Sequence, residues 1–309
     1  MNNKPANITI FTVCDNHFSV LLAALIKSID VNHHSDEHID FYIVGDKLTE
    51  KNKRNLALCA DPERISFFWV DMRDIIKDKS SLPLDGSSFP LIVYIRLFFP
   101  YFIPADIEKV IYLDVDMIVR KDIADLWKTD LGDKMIGGVP DRSEVVSCSW
   151  GGIANYKELG IEPETKYYNS GLLLIDGRKW IEAGITKKII ECISVNTRFA
   201  NFPDQYGLNV VFANQWLELD PGWNSYSMIE REDPYLIHFI GIKPIFTSYN
   251  YIQKYKDEFF GYLKLTPWAD FKPIGNHIRL FKKLQNKLFK KAYRIISKLT
   301  GSVPGSQKA

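Results

Sequence analysis

Glu108-Lys109-Val110-Ile111-Tyr112-Leu113-Asp114-Val115-Asp116-Met117-Ile118-Val119 sets two carboxylates between two apolar runs. The run 109–113 reads as a buried strand. In an extended chain, residues two apart face the same side. Asp114 and Asp116 therefore project together from the strand's C-terminal edge, which is where ligands bind in open α/β sheets. Two hard anionic groups side by side suit a divalent cation, and the cation in turn can hold a diphosphate. The competing reading is a pair of solvated turn acids. The apolar residues on both sides argue against it, because a desolvated charge needs a partner, and the chain has no other D-x-D.

Upstream, strand-like and helix-like segments alternate. Residues 8–13, 39–44 and 65–70 are short, apolar and β-branched, and read as strands. Residues 18–29 carry a helical apolar pattern, and 49–58 read as a helix capped by Thr49. This alternation implies βαβ units and an α/β fold with a mostly parallel, Rossmann-like sheet flanked by helices. Residues 80–88, rich in Ser, Gly and Pro, read as a loop, and 91–99 as a helix ended by Pro100. Downstream, 135–139 and 171–175 read as buried strands, and 178–183 and 185–196 as helices. From 214 to 272 aromatics crowd between Gly and Pro, which suits a lid or acceptor region better than regular layers. No internal repeat is present.

The 309 residues, 46% hydrophobic and 13% aromatic, suffice for a full core. The net charge of +1 hides an asymmetry. Residues 271–309 hold ten of the 39 Lys and Arg and none of the 38 Asp and Glu, so the remainder carries a net charge of −9. Within the tail, Leu280, Leu284, Leu288, Ala292, Ile295 and Leu299 recur at spacings of three and four, so 276–299 reads as a basic amphipathic helix. Such a helix suits an anionic membrane surface, where each Lys or Arg contributes about 1 kcal/mol. Packing on the body is the alternative. Nucleic acid is disfavoured by the acidic body. Cys14, Cys59, Cys148 and Cys192 form no C-x-x-C, so neither a zinc site nor a disulfide framework is indicated. There is no signal-like start and no apolar run of about 18 residues. The expected location is cytoplasmic, peripheral on the inner face of the cell membrane.

Five ordered segments resemble glycosyltransferase family 8. They are Tyr94-Ile95-Arg96-Leu97-Phe98-Phe99-Pro100 with the Asp114/Asp116 stretch; Tyr168-Asn169-Ser170-Gly171-Leu172-Leu173-Leu174-Ile175; Pro203-Asp204-Gln205-Tyr206-Gly207-Leu208-Asn209; and Ile237-His238-Phe239-Ile240-Gly241-Ile242-Lys243-Pro244. The resemblance covers roughly residues 7–265. It implies a GT-A fold over 1–270, with a nucleotide-sugar part at about 1–120 and an acceptor or lid part at about 121–270. It also implies retaining transfer of a hexose, galactose or glucose, from a UDP-sugar to a saccharide such as lipopolysaccharide, lipooligosaccharide or another cell-surface glycan.

Carried residue by residue, the resemblance makes Asp114, Asp116 and His238 metal ligands. Two carboxylates with an imidazole suit Mn²⁺ better than the alternative Mg²⁺. For His238 the competing reading is a satisfied core histidine. Asp15, His17 and Phe18 would meet the uridine, with N-capping by Asp15 or Asn16 as a compatible plainer role. Val115, Gly241 and Lys243 would lie along the nucleotide and diphosphate. Arg96, Asp141, Asn169, Asp204 and Gln205 would line the sugar, with Asp204 and Gln205 nearest the reacting carbon. For Arg96 and Asp204 a surface ion pair is the alternative. Retention admits double displacement or same-face attack, and the poor nucleophilicity of the Gln205 amide favours the second. Pro203, Tyr206 and Ile245 depart from the family pattern. The competing classes are an inactive sugar-nucleotide-binding or scaffold protein, which would lose the metal ligands, and a nucleotidyltransferase, which would want a Gly-rich basic loop where Cys14-Asp15-Asn16-His17 stands.

Overall fold

A computed structural model of the chain describes residues 7–76, 82–83 and 91–275, with eight further positions between 277 and 292. Apart from Leu82 and Pro83, the loop expected at 80–88 lies outside the described residues. The elements run β1 (Ile8–Asp15), α1 (Ser19–Asn32), β2 (Ile39–Asp46), α2 (Glu50–Ala57), β3 (Ile65–Asp71), α3 (Met72–Ile75), a 3-10 segment (Leu91–Tyr101), β4 (Lys109–Leu113), β5 (Met117–Val119), α4 (Ile123–Trp127), β6 (Ile136–Val145) and β7 (Lys166–Asp176). Then come α5 (Gly177–Glu182), α6 (Ile185–Val195), α7 (Pro203–Val211), β8 (Leu217–Glu218), β9 (Ser225–Tyr226), β10 (Leu236–His238) and α8 (Gln253–Leu263).

The main sheet has the order β3-β2-β1-β4-β7-β6-β8. β1 to β4 are mutually parallel, giving the expected βαβ units. β7 runs antiparallel to both β4 and β6. Both faces are covered, which is why the strands are continuous apolar runs rather than alternating ones. In β4, Ile111 and Leu113 join the core that holds α1 and α8, whereas Val110 and Tyr112 join the core under the 3-10 segment and α5–α7. α1 buries ten of its fourteen residues, because it is wrapped by α2, β5 and α8 as well as the sheet. Thr49 caps α2 as expected, its hydroxyl accepting the Asn52 N–H at 3.2 Å.

Several boundaries differ from the sequence reading. The segment at 91–101 is 3-10 rather than α, with a break at Phe98. Pro100 lacks an N–H and disfavours helical backbone before it. β7 begins five residues before the expected 171–175, because Asn169 and Ser170 interrupt its apolar run. β6 extends to Val145 through two irregularities in its pairing with β7. The stretch 214–272 is more regular than expected, since it contains β8, β9, β10 and α8. α8 was hidden because its buried stripe, Tyr255, Phe259 and Leu263, merges with the surrounding aromatics.

β10 pairs antiparallel with β5 and parallel with β9 in a second, three-stranded sheet. This sheet carries the chain around 238 to the end of β4. In the tail, residues 277, 280, 281, 284, 285, 288, 291 and 292 are helical and exposed, and the rest of the expected 276–299 helix lies outside the described residues. Among the described residues no helix is long and apolar enough to cross a membrane.

Phe259 is fully buried, with its ring edge-on to Phe239 at 5.6 Å. Phe259→Ala is expected to cost about 3–5 kcal/mol, read as a lowered urea midpoint at unchanged slope.

Candidate active site

β4 ends at Leu113, yet the Asp114 N–H still donates to Gly171 O at 2.8 Å, the last rung of the β4–β7 pairing. The chain then turns, and Asp116 O accepts the Phe239 N–H at 2.8 Å, beside β10. His238 itself pairs with Met117 across β5 and β10. Two sheets thus aim three side chains at one point. His238 Nε2 lies 3.8 Å from Asp114 Oδ2 and 3.5 Å from Asp116 Oδ1. One ligand atom from each lies within 4.8 Å of the others, and no second group of this kind occurs among the described residues. The donor set fits a divalent cation, and the site's preference for positive charge is visible in the Lys243 ammonium, which is paired with Asp116 Oδ2.

The charges here are strongly interdependent. Burial raises the Asp114 carboxyl; Arg96 opposes the rise and Asp116 adds to it. Burial acts on Asp116 as well, but Lys243 and His238 outweigh it and hold that carboxyl well below the usual range. Asp116 is therefore the firmly ionised member of the pair. Lys243 is anchored a second time, donating to Phe239 O at 2.9 Å.

Arg96, expected as a surface partner of Asp204 outside any site, is instead buried at 7% exposure, and Asp204 at 6%. Arg96 Nε lies 3.0 Å from Asp204 Oδ2, Nη2 lies 3.0 Å from Asp114 Oδ1, and Nη1 donates to Ser170 O at 2.7 Å. Burial disfavours its charge, but Asp114 and Asp204 more than offset this, and its pKa is raised. The Tyr112 ring lies beneath the guanidinium at 4.5 Å, and the Tyr112 hydroxyl donates to Asp114 Oδ1.

Next to this cluster lies a second one. Asn169 Nδ2 donates to Asp141 Oδ2 at 3.0 Å and to Gln205 Oε1 at 3.2 Å. Gln205 Oε1 also accepts the Ser170 N–H at 3.0 Å. Ser170 Oγ donates to Asp204 Oδ2 at 3.2 Å. All five expected sugar-side residues, Arg96, Asp141, Asn169, Asp204 and Gln205, are thus joined in one network. Alternation along β7 sorts its contacts: Asn169 and Gly171 face His238, and Ser170 faces Arg96.

Asp15 closes a turn at the end of β1, its Oδ1 accepting the Phe18 N–H at 2.9 Å, so the capping role is present. Asn16 instead holds α2, accepting from Thr49 N at 3.0 Å and Asn52 Nδ2 at 2.9 Å. His17 stacks near Phe18 at 4.9 Å and Phe246 at 6.5 Å, which joins this turn to the loop carrying Lys243. Gly241 has φ +73°, and a Cβ there would meet the Tyr251 hydroxyl at 2.6 Å. Val115 packs on the α1 core.

The family departures have physical places. Pro203 starts α7, where its missing N–H costs nothing. Ile245 is fully buried core. The Tyr206 hydroxyl is 2.9 Å from Asn155 Oδ1, and its ring lines a cavity of about 240 Å³ with Trp150, Tyr156, Tyr167, Phe199 and Phe202.

Three participants escaped the sequence reading. Tyr112 looked like strand filler. Ser170 was quoted only as part of a motif. Asn224 sits 2.9 Å from His238 Nδ1 through its Oδ1; it follows Trp223 in the aromatic stretch and carries no local signal. A Cβ on Gly171 would lie 2.4 Å from His238 Cε1 and 2.9 Å from Asp114 Oδ2. Gly171→Ala is expected to force the imidazole away and weaken Mn²⁺ binding at the cluster at least ~10-fold, measured by Mn²⁺ electron paramagnetic resonance, while the thermal midpoint moves little.

Comparison with known proteins agrees with this geometry. The sequence profile described as Glycosyl transferase family 8 matches residues 9–244. General stress protein A of Bacillus subtilis (strain 168) is 27% identical over 290 residues, covering 86% of this chain and 96% of the relative. The lipopolysaccharide 1,2-glucosyltransferase of Escherichia coli (strain K12) is 24% identical over 254 residues, 76% of this chain and 72% of the relative. Among solved structures, the galactosyltransferase LgtC with donor and acceptor sugar analogs superposes with a TM-score of 0.69 at 24% identity, over 84% of this chain and 96% of that one. The bifunctional glycosyltransferase WbbM gives 0.74 at 20% identity over 87% of this chain, which spans only 52% of WbbM. The structural likenesses speak for the GT-A fold. With the family profile lying over most of the sequence, the chain belongs to glycosyltransferase family 8.

Proposed function

We propose that this chain is a retaining hexosyltransferase that uses a UDP-sugar donor, galactose or glucose, and a bound Mn²⁺ in preference to Mg²⁺. The observation that carries this reading is the convergence of Asp114, Asp116 and His238 on one point beside the Arg96–Asp204–Gln205 network. Asp114, Asp116 and His238 would hold the ion, and the imidazole favours Mn²⁺ over a cation that prefers oxygen alone. The bound ion supplies Lewis acidity at the diphosphate. Asp15, His17 and Phe18 hold the uridine end, with Val115 and Gly241 beside the nucleotide. Lys243 is within reach of the same point and balances charge growing on the departing diphosphate. In this reading residues 1–270 form the catalytic unit, with donor contacts centred on 1–120 and acceptor contacts on 121–270.

Asp204 is the carboxylate nearest the sugar-side network, but it is a poor nucleophile as held. Its Oδ2 faces Arg96 and Ser170 Oγ. The Gln205 oxygen is engaged by Ser170 N and Asn169 Nδ2. Both groups are suited to positioning the sugar rather than attacking it. Same-face attack follows: the acceptor hydroxyl bonds to the anomeric carbon on the side from which UDP departs, and its proton passes to the leaving phosphate oxygen. The aromatic-lined cavity beside α7 suits the acceptor, since sugar rings present apolar faces to such walls.

A lipid-linked saccharide acceptor, such as lipopolysaccharide or lipooligosaccharide, is supported by the tail. Its ten Lys and Arg accompany exposed Leu280, Phe281, Leu284 and Leu288. A basic, apolar-faced segment fits the anionic inner face of a cell membrane.

UDP release from a panel of UDP-hexoses is expected to need Mn²⁺, to stop with EDTA, and to fall about 10²–10³-fold in Asp116→Asn. Release indifferent to chelator would sink the metal role. A hexosyl adduct on Asp204 in denaturing mass spectrometry would replace same-face attack by double displacement. The full chain is expected to sediment with anionic vesicles and to lose this at high salt; equal binding to neutral vesicles would count against the electrostatic tail.

A further inference from the structure

The Gly171 N–H donates to Asn169 Oδ1 at 3.0 Å. A backbone N–H can only donate, so this end of the Asn169 amide is its oxygen. The other end agrees: Asn169 Nδ2 meets the Asp141 carboxylate, which accepts, and Gln205 Oε1, which is fixed as an acceptor by the Ser170 N–H. Asn224 approaches the same Asn169 oxygen at 3.0 Å and must therefore present its NH₂ group. Its oxygen is left to face the opposite way, 2.9 Å from His238 Nδ1. An amide oxygen has nothing to donate, so the proton of the neutral ring sits on Nδ1. Nε2, turned towards Asp114 and Asp116, is left with its lone pair.

We propose that Asn224 is a positioning residue that sets the His238 tautomer for cation binding, and that Asn169 sets Asn224. Two backbone amides, on Ser170 and Gly171, thereby dictate which nitrogen of an imidazole on another strand can ligate. The chain of contacts is shielded, since Asn224 is 2% exposed and His238 3%, so water does not compete for either end. The opposite tautomer would direct an N–H at the point where the carboxylates converge. Partners of this kind change metal affinity about 10–100-fold. Asn169 also touches Asp141 and Gln205, so the sugar-side network and the metal ligand share one amide. The inference rests on the metal role proposed for His238.

The test reads the tautomer directly. Protein labelled with ¹⁵N in its imidazoles is examined metal-free, at alkaline pH with the ring neutral, and His238 is assigned by its loss in His238→Gln. The wild type is expected to show a protonated Nδ1 and a bare Nε2. Asn224→Ala is expected to lose this preference and to bind Mn²⁺ about 10–100-fold more weakly. Asn224→Asp, of nearly the same shape and still an acceptor, is expected to keep the proton on Nδ1. A wild-type ring protonated on Nε2, or a preference for Nδ1 that survives in Asn224→Ala, overturns the proposal. Neither metal nor donor is present in this measurement. Failure of the transferase reading would show separately, as absent UDP release by the wild type.

Discussion

The buried guanidinium of Arg96 is the contact on which the other site charges depend. It lies between Asp114 at the end of β4 and Asp204 in the first turn of α7, and donates to the backbone of β7. Remove it, and two carboxylates lose their partner in a place where water cannot replace it. Breaking a buried pair in this way costs about 3–5 kcal/mol. Asp114, already raised by burial and by Asp116, would then have no cation but Lys243 and His238 to share. The rigid planar fork matters as much as the charge, because a lysine could not address three oxygens from one plane.

β7 acts as a partition between two chemistries. Its pleat sends Asn169 and Gly171 to one side and Ser170 to the other. On one side neutral amides meet an imidazole; on the other an arginine meets carboxylates. Gln205 touches both through one oxygen, engaged by Ser170 N and Asn169 Nδ2. The absence of a side chain at Gly171 is what lets His238 close on Asp114 at all.

The parts legible in the sequence were those with strong local signals. The βαβ half follows from apolar runs that alternate with helical patterns, and Thr49 marked the start of α2. The carboxylate pair was visible because charge stood between apolar runs. The Arg96–Asp204 pair was not legible as a buried one, since these residues are 108 positions apart and nothing local reports their burial. Asn224 was silent for the same reason: its role exists only through Asn169 and His238. β10 has three residues, too few for a period to register, and α8 was masked by aromatics on either side of it.

The three-stranded sheet has a consequence for biosynthesis. β5 leaves the ribosome long before β10, its partner, because residues 117–119 pair with 236–238. Until the later strand emerges, the nascent chain carries two adjacent carboxylates with neither the imidazole nor Lys243 to meet them. Closing so long a loop is slow, because chain entropy must be surrendered before any contact rewards it. The catalytic centre is therefore among the last parts of the molecule to form, and an incomplete chain would hold much of the sheet but no working site.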